Sequence, residues 1–123
     1  MMNDVVVNTV SKFIPELSKA KDSDFYYLYE ISIENKGEQK IKLLTRHWDI
    51  YDALGRQKKV DGEGVIGQHP IINPGETFRY KSFCPLKTEF GCMSGFYTMK
   101  DEDGNVFKVK IPEFPLVLDN LIN

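Results

Sequence analysis

The chain has 123 residues, of which 16 are basic and 18 acidic, and its formal net charge is −2. This length is typical of one domain of about 100 to 150 residues, which buries a core without disulfides or metal. A charge so close to zero provides no large positive field for phosphate backbones or anionic membranes. Nucleic acid and membrane are therefore not expected as partners.

The start of the chain resembles no signal peptide, and the later sequence resembles no membrane span. Residues 1–10 lack the positive and long apolar regions of a signal peptide. No later stretch approaches the roughly 18 consecutive apolar residues of a membrane span. We therefore expect a cytoplasmic protein.

The two cysteines, Cys84 and Cys92, match neither a CxxC redox pair nor a zinc knuckle. In a reducing cytosol they are predicted to be free thiols. A disulfide across a hairpin is the alternative.

Alternation of apolar and polar residues predicts the first strands in chain order. Residues 5–13 are the less regular candidate, because a run of valines is apolar on both faces. Residues 25–34 and 41–51 follow, separated by a turn at residues 35–37. The side chains predicted to face the core are Phe25, Tyr27, Tyr29, Ile31, Ile33, Leu44, Trp48 and Ile50.

The second half of the chain repeats the pattern at residues 77–82, 93–100 and 106–111. Asp103 and Gly104 predict a tight turn between the last two strands. The side chains predicted to face inward are Phe78, Tyr80, Met93, Tyr97, Met99, Phe107, Val109 and Ile111.

Six or seven short strands separated by turn residues favour an all-β, two-layer antiparallel β-sandwich, with a barrel as the alternative. No segment has a sustained helical period. Residues 1–123 are interpreted as a single domain whose final residues, from about 115, form a loose tail.

Residues 61–75 interrupt this pattern with several glycines and prolines and no strand of useful length. Long loops within small domains are uncommon and often functional. Four apolar residues, Val65, Ile66, Ile71 and Ile72, make this loop more than a connector.

Within that loop, Gly62, Gly64 and Gly67 have the spacing of a dinucleotide-binding motif. That chemistry needs a helix whose amides face the pyrophosphate, and Pro70 and Pro74 leave no room for one. The remaining interpretations are an anion held by loop amides and, favoured here, a loop shaped by its glycines.

His47 and His69 are the only histidines, and Asp49, Asp61 and Glu63 lie near them in sequence. No pair has a recognised ligand spacing, so no metal site and no cofactor are predicted.

Catalytic motifs are not found, and no catalytic residues are predicted. A nucleophile and base that meet only in the folded protein would not be recognised in the sequence, and Cys84 with a nearby histidine is the least weak candidate.

Arg46 shares its parity with Trp48 and should point toward the core side. It either stacks at the end of the sandwich, the favoured interpretation, or offers donors at the rim of a pocket.

Six motifs together resemble the ApaG family along nearly the whole chain. They are residues 46–50 (RHWDI), 62–67 (GEGVIG), Pro70 with 74–76 (PGE), Tyr80, 93–99 (MSGFYTM) and 107–114 (FKVKIPEF). Phe83 and Cys84 stand where the family usually has small or polar residues.

The resemblance implies a fibronectin type III-like sandwich. It also implies protein binding, because the same domain occurs as a module in F-box proteins and in a polymerase-delta-interacting protein. Bacterial members are named for a gene neighbour of a diadenosine tetraphosphate hydrolase and are linked to cobalt tolerance and magnesium efflux.

We therefore predict a non-catalytic protein-interaction module, monomeric or weakly dimeric, whose binding surface includes residues 62–74. The alternative is a sensor of a pyrophosphate-containing ligand or of a divalent cation in cobalt and magnesium homeostasis. The candidate binding residues are Arg46, His47, Gly62, Gly64, Val65, Ile66 and Gly67.

Overall fold

The structure is a computed structural model that describes residues 4–118. In it, segments of alternating apolar and polar residues form most of the eight strands. Within that range the only helical segments are the short 3₁₀ turns Pro15–Leu17 and Ala20–Asp22. The strands are β1 (Val5–Phe13), β2 (Phe25–Asn35), β3 (Ile41–Asp52), β4 (Gln57–Glu63), β5 (Ile71–Ile72), β6 (Thr77–Leu86), β7 (Gly91–Lys100) and β8 (Val106–Leu116).

The strands form two antiparallel sheets. One sheet has the order β1-β2-β6, and the other has the order β4-β3-β7-β8, with β5 also paired to β3. Strand β1 contacts β8 on one side of the molecule, whereas β6 and β4 are the sheet edges on the other side. This confirms the two-layer sandwich of the fibronectin type III or immunoglobulin type.

One apolar core lies between the sheets. At its centre Trp48 is 2% exposed, with its ring 5.3 Å from that of Tyr29 and 5.9 Å from that of Phe114, both edge-on. The prediction that Trp48 is a core residue is confirmed. The other buried apolar residues are Tyr27, Ile31, Ile33, Ile41, Leu43, Val65, Ile72, Tyr80, Cys84, Leu86, Met93, Tyr97, Met99, Val109, Ile111 and Leu116.

The prediction that Leu44 faces the core was wrong, because β3 contains a bulge. Leu43 pairs with Met99, but Thr45 pairs with the next residue of β7, Thr98, so β3 has one extra residue here. An extra residue reverses the alternation of side chains. Odd-numbered residues of β3 therefore face the core before the bulge, and even-numbered residues face it after the bulge.

Strand β4 was not expected, because Gln57, Lys58 and Lys59 are polar and give no alternation. They are exposed on the edge of the larger sheet, where a strand is held by its pairing with β3 rather than by burial. The strand ends at Glu63, so the predicted loop begins at residue 64 rather than 61.

Two strands extend beyond their predicted ends, residues 82 and 111, and continue through prolines. Strand β6 continues through Pro85, and β8 continues through Pro112 and Pro115. Both are edge strands, where a missing N–H need not break a ladder. Strand β8 keeps the chain in the sheet as far as Leu116, and residues 119–123 of the predicted tail lie outside the described residues.

Candidate functional site

The segment between β4 and β5 leaves the sheet edge and returns to it; we call residues 64–70 the edge loop. Both flanking strands pair with β3, so the loop departs from one nearly continuous edge. Its two ends stay bonded to the bulge of β3. The amide of Gly64 donates to the carbonyl of Leu44 (2.8 Å), and the amide of Leu43 donates to that of Pro70 (3.0 Å).

A two-residue turn forms the tip of the edge loop. The amides and carbonyls of Val65 and Gln68 bond to each other at 2.9 Å in both directions. Between them, Ile66 has φ +43° and Gly67 has φ +75°. Positive φ at both central residues is the condition of a type I′ turn, which normally has Asn-Gly there. A β-branched residue is strained in this conformation.

The structure divides the apolar residues of the predicted binding loop into two groups. Val65 is 0% exposed and belongs to the core, and Ile72 is also buried. Ile66 and Ile71 point outward, with exposures of 52% and 58%. As a correction to the sequence prediction, Val65 cannot form part of an exposed surface, whereas Ile66 can.

Arg46 holds the base of the edge loop. As its parity predicted, it lies on the core side of β3, and its Nη1 donates to the carbonyls of Glu63 (3.1 Å) and Gly64 (2.9 Å). A Cβ at position 62 would lie 2.6 Å from Cζ of Arg46, so the guanidinium occupies space that Gly62 leaves open. Arg46 therefore has a structural role at the base of the edge loop.

Three amides of the edge loop are not free to bind an anion. The amide of Gly64 donates to Leu44, and the amides of Val65 and Gln68 donate to each other's carbonyls. These donors are therefore occupied within the protein. No helix follows the motif within residues 4–118, so the geometry of a dinucleotide site does not form.

His47 lies on the outer face of the larger sheet, between two carboxylates. Its Nδ1 is 2.6 Å from Asp61 of β4, and its Nε2 is 3.1 Å from Asp49. Its ring stacks on that of Phe96 in β7, with the two centroids 4.8 Å apart, and Nζ of Lys108 lies 4.6 Å from the centroid of the Phe96 ring. The hydrogen bond to Asp61 is the main reason why the pKa of His47 is raised above 6.5, because only the imidazolium can donate to both carboxylates.

We expect stability to depend on pH through His47. Because its pKa is higher in the folded protein than in the unfolded chain, its stabilisation is complete below about pH 6.5 and is lost as pH rises through the folded pKa. His47→Gln should therefore lower the melting temperature more at pH 5.5 than at pH 8.5. An NMR titration of the His47 ring with a midpoint at or below 6.5 would contradict this account.

The two histidines do not meet. His69 lies in the edge loop, with Nδ1 3.2 Å from the carbonyl of Leu43 and Nε2 3.9 Å from Glu63. Among residues 4–118, no group of three or more His, Cys, Asp or Glu side chains is arranged to hold a metal ion.

Cys84 does not combine with a histidine to form a catalytic pair. It is buried on β6, and burial raises the pKa of its thiol to about 11, which disfavours the thiolate. His47 lies on the outer face of the opposite sheet and contacts carboxylates instead. Both cysteines are free thiols.

Phe96 was missed as a surface residue by the sequence analysis. Its parity in β7 is opposite to that of Tyr97 and Met99, which places it on the outer face beside His47. That parity was visible in the sequence. The pairing of Asp61 with His47, in contrast, depends on β4, which has no recognisable sequence pattern.

Fold and site together define a small fibronectin type III-like sandwich with a structured loop on one sheet edge. Residues 15–101 match the sequence profile described as the ApaG domain. Protein ApaG of Beijerinckia indica is 43% identical over 92% of this chain and 87% of its own length. Protein ApaG of Bradyrhizobium diazoefficiens is 46% identical over 91% of this chain and 86% of its own length.

Solved structures agree with this assignment. A crystal structure of a Bordetella pertussis protein superimposes with a TM-score of 0.91 at 39% identity, covering 94% of each chain. The chain belongs to the ApaG family. The names of these relatives state no enzymatic activity. Among residues 4–118, no helix has the length and apolar character needed to cross a membrane.

Proposed function

We propose that the protein is a non-catalytic protein-interaction module whose binding surface is centred on Ile66 and Ile71. The observation that carries the proposal is the left-handed conformation of Ile66, an exposed β-branched residue where asparagine would be unstrained. An arrangement that costs stability and gains no burial is typical of residues retained for binding.

The edge loop is also suited to binding because it is held in one shape. Val65 fixes its tip in the core, and Arg46 fixes its first carbonyls. At the far end, Nδ2 of the buried Asn35 donates to the carbonyl of Ile72 at 2.9 Å. A loop ordered in advance loses little entropy when a partner binds.

We also propose a cellular compartment and an oligomeric state for the protein. Two free thiols, one of them buried, are in keeping with a reducing compartment, and we place the protein in the cytosol. The partner is another protein, and the module itself acts as a monomer or weak dimer.

Ile66→Asn is expected to separate stability from binding. It creates the preferred Asn-Gly turn and removes the left-handed strain of isoleucine, so the free energy of unfolding should rise by about 1 kcal/mol, the lower end of that strain. Capture of the partner should weaken by about 1 to 3 kcal/mol, as for an interface hot spot. Thermal melts and quantitative pull-downs on the same variant measure both effects.

Leu54→Asn provides the matched control, because Leu54 is 72% exposed in the turn between β3 and β4. It should leave both stability and capture nearly unchanged. If Ile66→Asn stabilises the domain and captures the partner as well as wild type does, the strain of Ile66 has no binding role.

A further inference from the structure

A cleft of about 260 Å³ opens between the two sheets on the side where β4 and β6 are edges. It is separate from the tip of the edge loop. Its walls come from both sheets, and β4 of the larger sheet contributes its inward-facing residues Lys58 and Val60. The lining residues are Tyr29, Arg46, Trp48, Ile50, Lys58, Val60, Ser82, Phe83, Cys84, Pro85 and Met93.

The charges around this cleft have one sign. Arg46 and Lys58 both line it, and among the described residues that line it none is Asp or Glu. Lys58 has no ion pair within residues 4–118, and only Nη1 of Arg46 has a hydrogen-bond acceptor there. Two cations without a counter-ion favour an anionic ligand.

The remainder of the wall is mostly apolar and aromatic. Trp48 contributes to it, and the indole N–H of Trp48 is buried with no hydrogen-bond acceptor among the described residues. The volume is slightly below the usual range of about 300 to 1,000 Å³ for ligand pockets, which suits a ligand with a single ring.

We propose that this cleft binds a small organic anion, a carboxylate or a phosphate ester carrying an aromatic or branched apolar body. The anionic group lies between Arg46 and Lys58 at the rim, and the apolar body packs against Trp48 and its cross-strand neighbour Val60. This ligand site is distinct from the protein-binding surface around Ile66, and Arg46 contacts both the cleft and the base of the edge loop.

The tryptophan provides a direct test, because Trp48 is the only one in the chain and lines the cleft. Benzoate and phenyl phosphate are titrated into the full-length protein while Trp48 emission is recorded. Benzyl alcohol, which has the ring without the charge, and inorganic phosphate, which has the charge without the ring, are the comparison probes. The indole N–H resonance of Trp48 serves as a second signal.

At least one of the two aromatic anions should change Trp48 emission saturably, and an anion that does so should bind more tightly than either comparison probe. Lys58→Gln should weaken the binding at least about fivefold, since it removes a charged contact. Lys59→Gln, one residue along β4 on the opposite face, should change it less than about twofold.

Three outcomes would overturn the proposal. They are no saturable response to either aromatic anion, equal binding of benzyl alcohol or inorganic phosphate, and binding to Lys58→Gln as tight as to wild type.

Discussion

Replacing Trp48 by alanine is expected to lower the free energy of unfolding by about 3 to 5 kcal/mol. The indole is 2% exposed and packs edge-on against Tyr29 and Phe114, so its removal leaves a cavity at the centre of the core. Neighbouring strands of two sheets cannot collapse fully around that space. Urea denaturation followed by circular dichroism measures the loss.

Phe90→Ala is the matched control, because Phe90 is an aromatic residue with half of its surface exposed. Its effect should be well below that of Trp48→Ala. Equal urea midpoints for Trp48→Ala and wild type would show that Trp48 does not support the core.

Gly64→Ala is expected to destabilise the domain by roughly 3 kcal/mol or more. Gly64 has φ +60°, and a Cβ there would lie 2.0 Å from the carbonyl oxygen of Gln68. The turn must open to admit the methyl group. The variant therefore loses the burial of Val65, about 1.5 to 3 kcal/mol, and gains backbone strain of about 1 to 3 kcal/mol.

Gly67→Ala makes the same change three residues along the loop. Gly67 also has positive φ (+75°), but a Cβ there would meet nothing within 4 Å. Only the conformational cost of about 1 to 2 kcal/mol remains. Comparable melting temperatures for the two variants would contradict the close packing assigned to Gly64.

The sequence predicted the strands with one buried and one exposed face well. Strand β1 has the predicted bounds, and β2 differs by one residue at its end. The alternation in β2 is strict because one face is buried in the core and the other is partly exposed, whereas the run of valines makes β1 less regular. Strand β4 is held at a sheet edge by pairing rather than by burial, so it has no alternation that would predict it. The predicted end of β8, residue 111, was five residues too early.

Parity errors arose where an extra residue entered a strand. The bulge at Leu44 depends on the pairing of β3 with β7, and no local residue type signals it. The prediction for Trp48 was correct because Trp48 lies after the bulge, where even-numbered residues of β3 face the core.

The candidate site was predicted only in outline. Glycine content located the loop, and the parity of Arg46 placed it on the core side. Val65 is buried and Ile66 is exposed because the two residues lie in a two-residue turn with positive φ at its centre. Isoleucine does not predict such a turn, because asparagine or glycine normally occupies that position.

Photocrosslinking from position 66 tests the central claim most directly. Benzoylphenylalanine is placed at position 66 of one sample and at position 54 of another, and both are irradiated in native extract. Both positions are exposed in wild type, so reactivity toward solvent-accessible proteins is matched. The account predicts one discrete protein adduct from position 66 that is absent from position 54. Identical adduct patterns from both positions, or no adduct from position 66, would contradict it.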